Sequence, residues 1–348
     1  MKTLTSASLI AAALLGAITQ ANAQTLNPSA GYVVGEVMSS TTLGAYDIYE
    51  DSGAKAYGWD VGSNTLRNYD VANGGVLADY GAPDGSYANT ASISFVRKSP
   101  DGSSVWVGYT TLSGTDDRIY EVTNLGGTAT WNLRTTVSYN YDLAFDTAGN
   151  AFVVAAPGYV NSLYYLDSSN NYTAIQFAQT GGYSADLAFD IAGNLIYGTT
   201  GPGVNQLVSF SNGDISSFLT DTGSWTALTL DDATLLSDLP AGASGLFADE
   251  YGGLFLAMSD YGTGEGTLAQ WNGVSGSGDN LDILATVINS LGELDGLGEL
   301  GLDGILYQSV GYQQPGIDTL TVPEPQTYAL IAGLSTLTLV AIRRRKQS

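Results

Sequence analysis

The side chains able to do chemistry in this chain are almost all carboxylates. Its 348 residues contain no histidine and no cysteine. Ser-His-Asp triads, imidazole proton transfer, thiolate nucleophiles and His- or Cys-ligated metals are thereby excluded. Asp and Glu number 34 against 11 Lys and Arg, a net charge of −23. The acidic residues that turns do not explain fall into groups: Asp116 with Asp117, Asp231 with Asp232, and Glu293 with Asp295, Glu299 and Asp303. Two chemistries remain open to such groups. A carboxylate pair can act as acid and base in glycoside hydrolysis, or oxygen ligands can hold a hard divalent cation such as Ca²⁺. No EF-hand spacing occurs, so these eight residues are candidate cation ligands with no metal assigned from spacing.

Charge is distributed unevenly. After Arg134 no Lys or Arg appears before Val322, while 21 Asp and Glu accumulate. Such a surface repels phosphate backbones and excludes nucleic acid as a partner. Gly296-Leu297-Gly298-Glu299-Leu300-Gly301 fits a dinucleotide fingerprint by letters, yet a turn and strand follow it, and its carboxylates would repel a pyrophosphate. Asp101, Asp146 and Asp190 sit in turn sequences, where their side chains bond local backbone. Among the five tryptophans, Trp106 lies inside a strand pattern and reads as core. Trp131, Trp225 and Trp271, beside polar or small residues, are candidates for stacking on a sugar.

What must position these residues is a repeat. Asp142-Leu-Ala-Phe-Asp-Thr-Ala-Gly-Asn150 returns as Asp186-Leu-Ala-Phe-Asp-Ile-Ala-Gly-Asn194, 44 residues later with one substitution. Each copy reads as strand, tight turn, strand, with Gly and Asn accepting the reversal. Weaker copies turn at Gly53, Gly102, Gly252 and Gly304. A blade of four strands takes roughly 40–50 residues. The expected architecture is all-β: a six-bladed propeller over residues 24–321, with seven blades as the alternative if the long interval Gly213–Ala243 hides a repeat. No long capped helical pattern appears between Gln24 and Thr321, and Leu281–Leu291 reads as a strand. The segment Gly31–Val37 is expected to complete the last blade and close the ring.

Ser99-Pro-Asp-Gly-Ser-Ser-Val-Trp-Val-Gly108 resembles the strand–turn–strand signature of TolB and lactonase-type propellers, and the duplicated phrase resembles NHL repeats. That resemblance implies architecture, because propellers host unrelated functions. A lactonase-type metal would be held by Glu, Asn and Asp at one end of the ring.

Both ends carry processing signals. Residues 1–23 read as a secretory signal peptide, with Lys2, the apolar run Leu9–Ile18 and cleavage between Ala23 and Gln24. Residues 322–348 order Val322-Pro323-Glu324-Pro325, an apolar run Thr327–Ile342, and Arg343-Arg344-Arg345-Lys346. This resembles a PEP-CTERM sorting signal. A plain membrane anchor is the alternative. As a helix the 16-residue run would be a C-terminal transmembrane segment about 24 Å long, its basic cluster held on the cytoplasmic side. The resemblance implies the Sec translocon, signal peptidase and an exosortase as partners. It also implies a passage through the inner membrane of a Gram-negative bacterium to the envelope, outer surface or medium. Removing both ends takes five of the 11 basic residues and one of the 34 acidic ones, leaving −27.

The functional expectation is an exported, non-enzymatic propeller with a binding or structural role, associated with exopolysaccharide or biofilm. The alternative is a metal-dependent, lactonase-like or carboxylate-based hydrolase on the same scaffold. Three or more Asp, Glu or Asn residues converging at the central channel would favour the enzyme, and an open acidic or aromatic rim without such convergence would favour binding.

Overall fold

In the computed structural model the described residues lie between Asn27 and Thr321; residues 30–31, 39–42, 52, 72, 84–90, 112, 183–185, 202–204, 250, 261–264, 289–297, 301–304 and 310–316 are not described. Both processing signals therefore lie outside the described residues. Within them the chain builds antiparallel meanders. The consecutive strands Leu43–Glu50, Ala54–Asp60, Thr65–Asp70 and Gly75–Asp79 form one sheet. Three more four-stranded sheets follow in the same manner, opening with Ser92–Lys98, Asn140–Phe145 and Asp186–Phe189. These opening strands contact one another in ring order, followed by Gly242–Ala248 and then Gly298–Leu300, which returns to Leu43–Glu50. The arrangement is a propeller, with the opening strands lining its channel.

Closure uses both ends of the described chain. Val33–Met38 pairs antiparallel with Ile317–Thr321, at the outer edge of the sheet that begins at Gly298–Leu300. An edge that would otherwise be unpaired is thus covered. The expectation of a six-bladed propeller, with seven blades as the alternative, is corrected here; the expected transmembrane segment, 327–342, lies outside the described residues. Five sheets are four-stranded blades; the sheet opening at Gly242–Ala248 carries a fifth strand, Asn27–Pro28, beyond Leu281–Ile288. No described helix is long and apolar enough to cross a membrane. The interval that could have hidden a seventh blade instead holds a helix, Asn212–Thr220, before the outer strand Thr234–Asp238. That helix was missed for a physical reason. It is only nine residues long, rich in Ser, and held by the Ser211 hydroxyl, which accepts from the Asp214 N–H at 3.1 Å. Ile215 and Phe218 bury one side of it among Phe152, Phe177 and Phe210.

The duplicated turn behaves alike in both copies. Asp146 accepts from the N–H groups of Ala148 and Asn150 at 2.9 and 2.8 Å and from the Asn150 amide at 2.7 Å. Asp190 repeats these bonds with Ala192 and Asn194 at 2.9, 2.8 and 2.8 Å. Gly149 and Gly193 supply the left-handed backbone, at φ 85° and 78°.

Candidate active site in the central channel

Four opening strands bring charged groups to the channel. Arg97 comes from Ser92–Lys98. Its Nε donates to the Leu143 carbonyl at 3.1 Å, its Nη1 to the Val96 carbonyl at 3.0 Å and the Tyr46 carbonyl at 3.5 Å, and its Nη2 lies 2.8 Å from Asp142 Oδ1. One guanidinium therefore ties three neighbouring strands together. Asp142 continues the chain of bonds, because its Oδ2 accepts from the Leu187 N–H at 3.2 Å. Asp47, on Leu43–Glu50, accepts from the Lys98 N–H. Asp186 opens the next strand; its Oδ2 is buried without a partner.

The electrostatics follow from this geometry. Asp47 has the Lys98 charge beside it as well as Arg97, whereas Asp142 and Asp186 have only the one guanidinium, so those two cannot both ionise without an uncompensated buried charge. Burial raises the proton affinity of Asp47, which the Arg97 charge and the Lys98 N–H oppose. Burial likewise raises Asp142, against the pull of Arg97. Asp186 is pushed well above the ordinary carboxylate range, first by burial and then by the Asp142 charge beside it. Of the three carboxyls, Asp186 therefore holds a proton most tightly.

A cavity of about 300 Å³ opens along these strands. Asp47, Arg97 and Lys98 line it together with Leu143, Leu187 and Phe247. Asp142 and Asp186 are 1% and 8% exposed; they stand one residue before the lining Leu143 and Leu187. A half-buried carboxylate and a clamped guanidinium thus face the cavity, with two deeper carboxyls behind them.

The residues singled out from sequence have other places. Asp116 is held bidentately by Arg118 at 2.9 and 2.7 Å. Asp117 is buried and accepts from the Thr111 N–H and hydroxyl at 2.6 and 2.7 Å. Asp232 closes its turn on the N–H and hydroxyl of Thr229 at 2.8 and 2.9 Å, and Asp231 is exposed beside it. Glu293, Asp295 and Asp303 lie outside the described residues, as does the Glu299 side chain. No group of three or more carboxylates fit to hold a metal occurs among the described residues. In the channel the guanidinium of Arg97 stands among the carboxyls where a cation would be needed. Of the tryptophans, Trp131 donates to the Tyr80 carbonyl at 2.9 Å, Trp225 to Phe177 at 2.9 Å and Trp271 to Val274 at 2.8 Å. Each also packs against a core cluster.

Asp47, Arg97, Asp142 and Asp186 were missed by sequence reasoning, although a signal existed. Asp142 and Asp186 head the duplicated phrase inside its strand, where turn bonding cannot account for an aspartate as it does for Asp146 and Asp190.

No family model and no curated protein matches the chain. Solved structures do. A gluconolactonase from Xanthomonas campestris superposes with a TM-score of 0.57 at 13% identity, over 87% of this chain and 96% of that one. A calcium-binding regucalcin from Agrobacterium tumefaciens gives 0.55 at 13%, over 83% and 93%. The PQQ-bound aldose sugar dehydrogenase from Streptomyces coelicolor gives 0.54 at 14%, over 85% and 100%. At such identities the likeness shows the propeller fold. The expectation of a non-enzymatic binding propeller is nevertheless overturned. Asp47, Asp142 and Asp186 converge around Arg97 in the channel, which is the arrangement that favours the enzyme alternative.

Proposed function

We propose that the chain is a hydrolase that uses carboxylate acid–base chemistry in its central channel, cleaving a carboxylic ester or lactone. The observation that carries this reading is the pairing of Asp47 with Arg97 on the wall of one cavity. Acyl hydrolysis needs one base and one group that stabilises an oxyanion. Glycoside hydrolysis needs two carboxylates facing the bond, whereas Asp142 and Asp186 lie deeper.

Asp47 takes a proton from water as that water attacks the acyl carbon. The negative charge forming on the carbonyl oxygen is met by Arg97, already fixed by its backbone carbonyls, so little reorganisation is required. The bond to the leaving oxygen then breaks, and that oxygen receives the proton back from Asp47. A base whose proton affinity burial has raised works closer to neutral pH than an ordinary aspartate. Asp142 positions Arg97 through the 2.8 Å ion pair. Asp186, whose proton affinity is raised, adds no second buried negative charge to compete for Arg97 while it is protonated. No step passes through a metal, because the described carboxylates do not fit one.

The test is a panel of chromogenic esters and lactones offered to the full chain and to Asp47→Asn. The variant is expected to lose about 100-fold or more in kcat while keeping its circular dichroism. Equal rates for both proteins, or no turnover of any acyl substrate, would sink the reading. As part of the same proposal the enzyme works outside the cytoplasm. The support for that location is the pair of terminal signals, residues 1–23 and 322–348.

A further inference from the structure

At the opposite end of the strand Asn140–Phe145 from the cavity-lining residues, Tyr139 and Tyr159 stand ring against ring. Their centroids are 5.1 Å apart at 37°, and the Tyr139 hydroxyl donates to that of Tyr159 at 3.1 Å. Tyr159 is 77% exposed. Both residues hold left-handed backbone, at φ 52° and 65°, a conformation that bulky side chains adopt only when their surroundings impose it.

The surroundings do impose it. Buried Asp117 accepts the Tyr139 N–H, both donors of Thr111 and the Thr110 hydroxyl, the last at 3.2 Å. Gly114, itself at φ 61°, lies under the Tyr139 ring; a Cβ there would meet ring carbons at 2.2 and 2.4 Å. Tyr159 follows Gly158 at φ 68° in the short turn Pro157–Tyr159, its N–H bonded to the Ala156 carbonyl at 2.9 Å. Strained backbone and a conformationally restricted glycine are thus used to hold a ring out in water, where it buries little apolar surface. That arrangement contributes nothing to the core.

We infer that Tyr139 and Tyr159 form a binding platform for the ring of a neutral carbohydrate. An aromatic face takes the C–H face of a sugar, and the two phenol oxygens at its edge can bond ring hydroxyls. A cationic ligand fits less well. It would seek a carboxylate beside the rings, but Asp117 is buried and taken up by four donors, and Asp116 is held by Arg118. An anion would meet a chain of net charge −23. The platform is separate from the channel chemistry and does not depend on the hydrolase reading.

Isothermal titration of the full chain with neutral α- and β-linked gluco-, galacto- and manno-oligosaccharides tests this, with choline as the cationic control. At least one neutral oligosaccharide should bind. Tyr159→Ala should weaken it about tenfold without moving the melting temperature, and Tyr159→Phe should retain most of the affinity. Gly114→Ala, which displaces the Tyr139 ring, should weaken it too, and Asp47→Asn should leave it unchanged. The inference is overturned if no oligosaccharide binds, if Tyr159→Ala binds as the parent does, or if only choline responds to the substitution.

Discussion

Replacing Asp186 by Asn tests where the channel keeps its proton. Asp186 is 8% exposed, its Oδ2 has no partner, and the cation nearest to it, Arg97, is already bonded to Asp142. Burial and the Asp142 charge raise its proton affinity well above that of the unfolded chain. The native state therefore binds more protons than the unfolded state from the ordinary value of 3.8 up through the raised native one. Stability from this group is complete below that window and is lost as pH rises through it, at about 1.4 kcal/mol per pH unit. Asn has the shape of the protonated carboxyl and no charge. Asp186→Asn should flatten the decline and leave the protein at about pH 8 as stable as the parent or more so.

Asp142→Asn is the contrasting case. It removes the acidic partner from a 2.8 Å ion pair at a position 1% exposed. Breaking such a pair costs about 3–5 kcal/mol, and the lower end applies because Asp47 still offers Arg97 a negative charge. Urea unfolding at about pH 5 and about pH 8, with m-values compared, reads both variants. If Asp186→Asn loses as much stability as Asp142→Asn at the higher pH, Asp186 is ionised and the assignment of the proton fails.

Other expectations can be checked alongside. Because Asp47 serves as the base, hydrolysis should fall as pH drops through its raised proton affinity, and a profile rising toward low pH would contradict that role. Gly108→Ala would put a Cβ 2.2 Å from Phe95 Cε1, and overpacking of this kind should cost about 1–3 kcal/mol in unfolding experiments. Asp146→Ala and Asp190→Ala each remove three turn bonds of matching geometry and should destabilise by similar amounts, about 1–2 kcal/mol; unequal losses would show that the copies are not equivalent. A chelator should leave turnover unchanged, and its loss would point to ligands outside the described residues. Intact-mass measurement of exported protein should find a start at Gln24 and no Arg343–Lys346; a full-length tail would leave a plain anchor.

The parts legible in the sequence are those decided by neighbours along the chain. Asp146 and Asn150 bond each other across a five-residue turn, so composition and spacing suffice to place them, and the repeat of that turn implies the ring. The extra strand Asn27–Pro28 was not legible, because its partners Thr286 and Ala285 lie at the far end of the chain. The helix Asn212–Thr220 was obscured for a different reason. Its stability comes from Ile215 and Phe218 entering a core supplied by other sheets, and propensity alone is marginal at that length.

The channel cluster shows the same limit more sharply. Asp142 and Asp186 head nearly identical phrases and lie in equivalent strands, yet the proton affinity of Asp186 is raised further. The distinction comes from what stands on the neighbouring strand. Arg97 reaches Asp142 and the Leu143 carbonyl across 45 and 46 residues of sequence, and no Lys or Arg stands between Arg134 and Val322 to do the same for Asp186. Duplication therefore supplied two equivalent carboxyl positions, while the one-sided distribution of basic residues left Asp186 with the higher proton affinity of the two. The absence of Lys and Arg between Arg134 and Val322, which by itself reads as a property of the surface, is also what differentiates the two aspartates inside the ring.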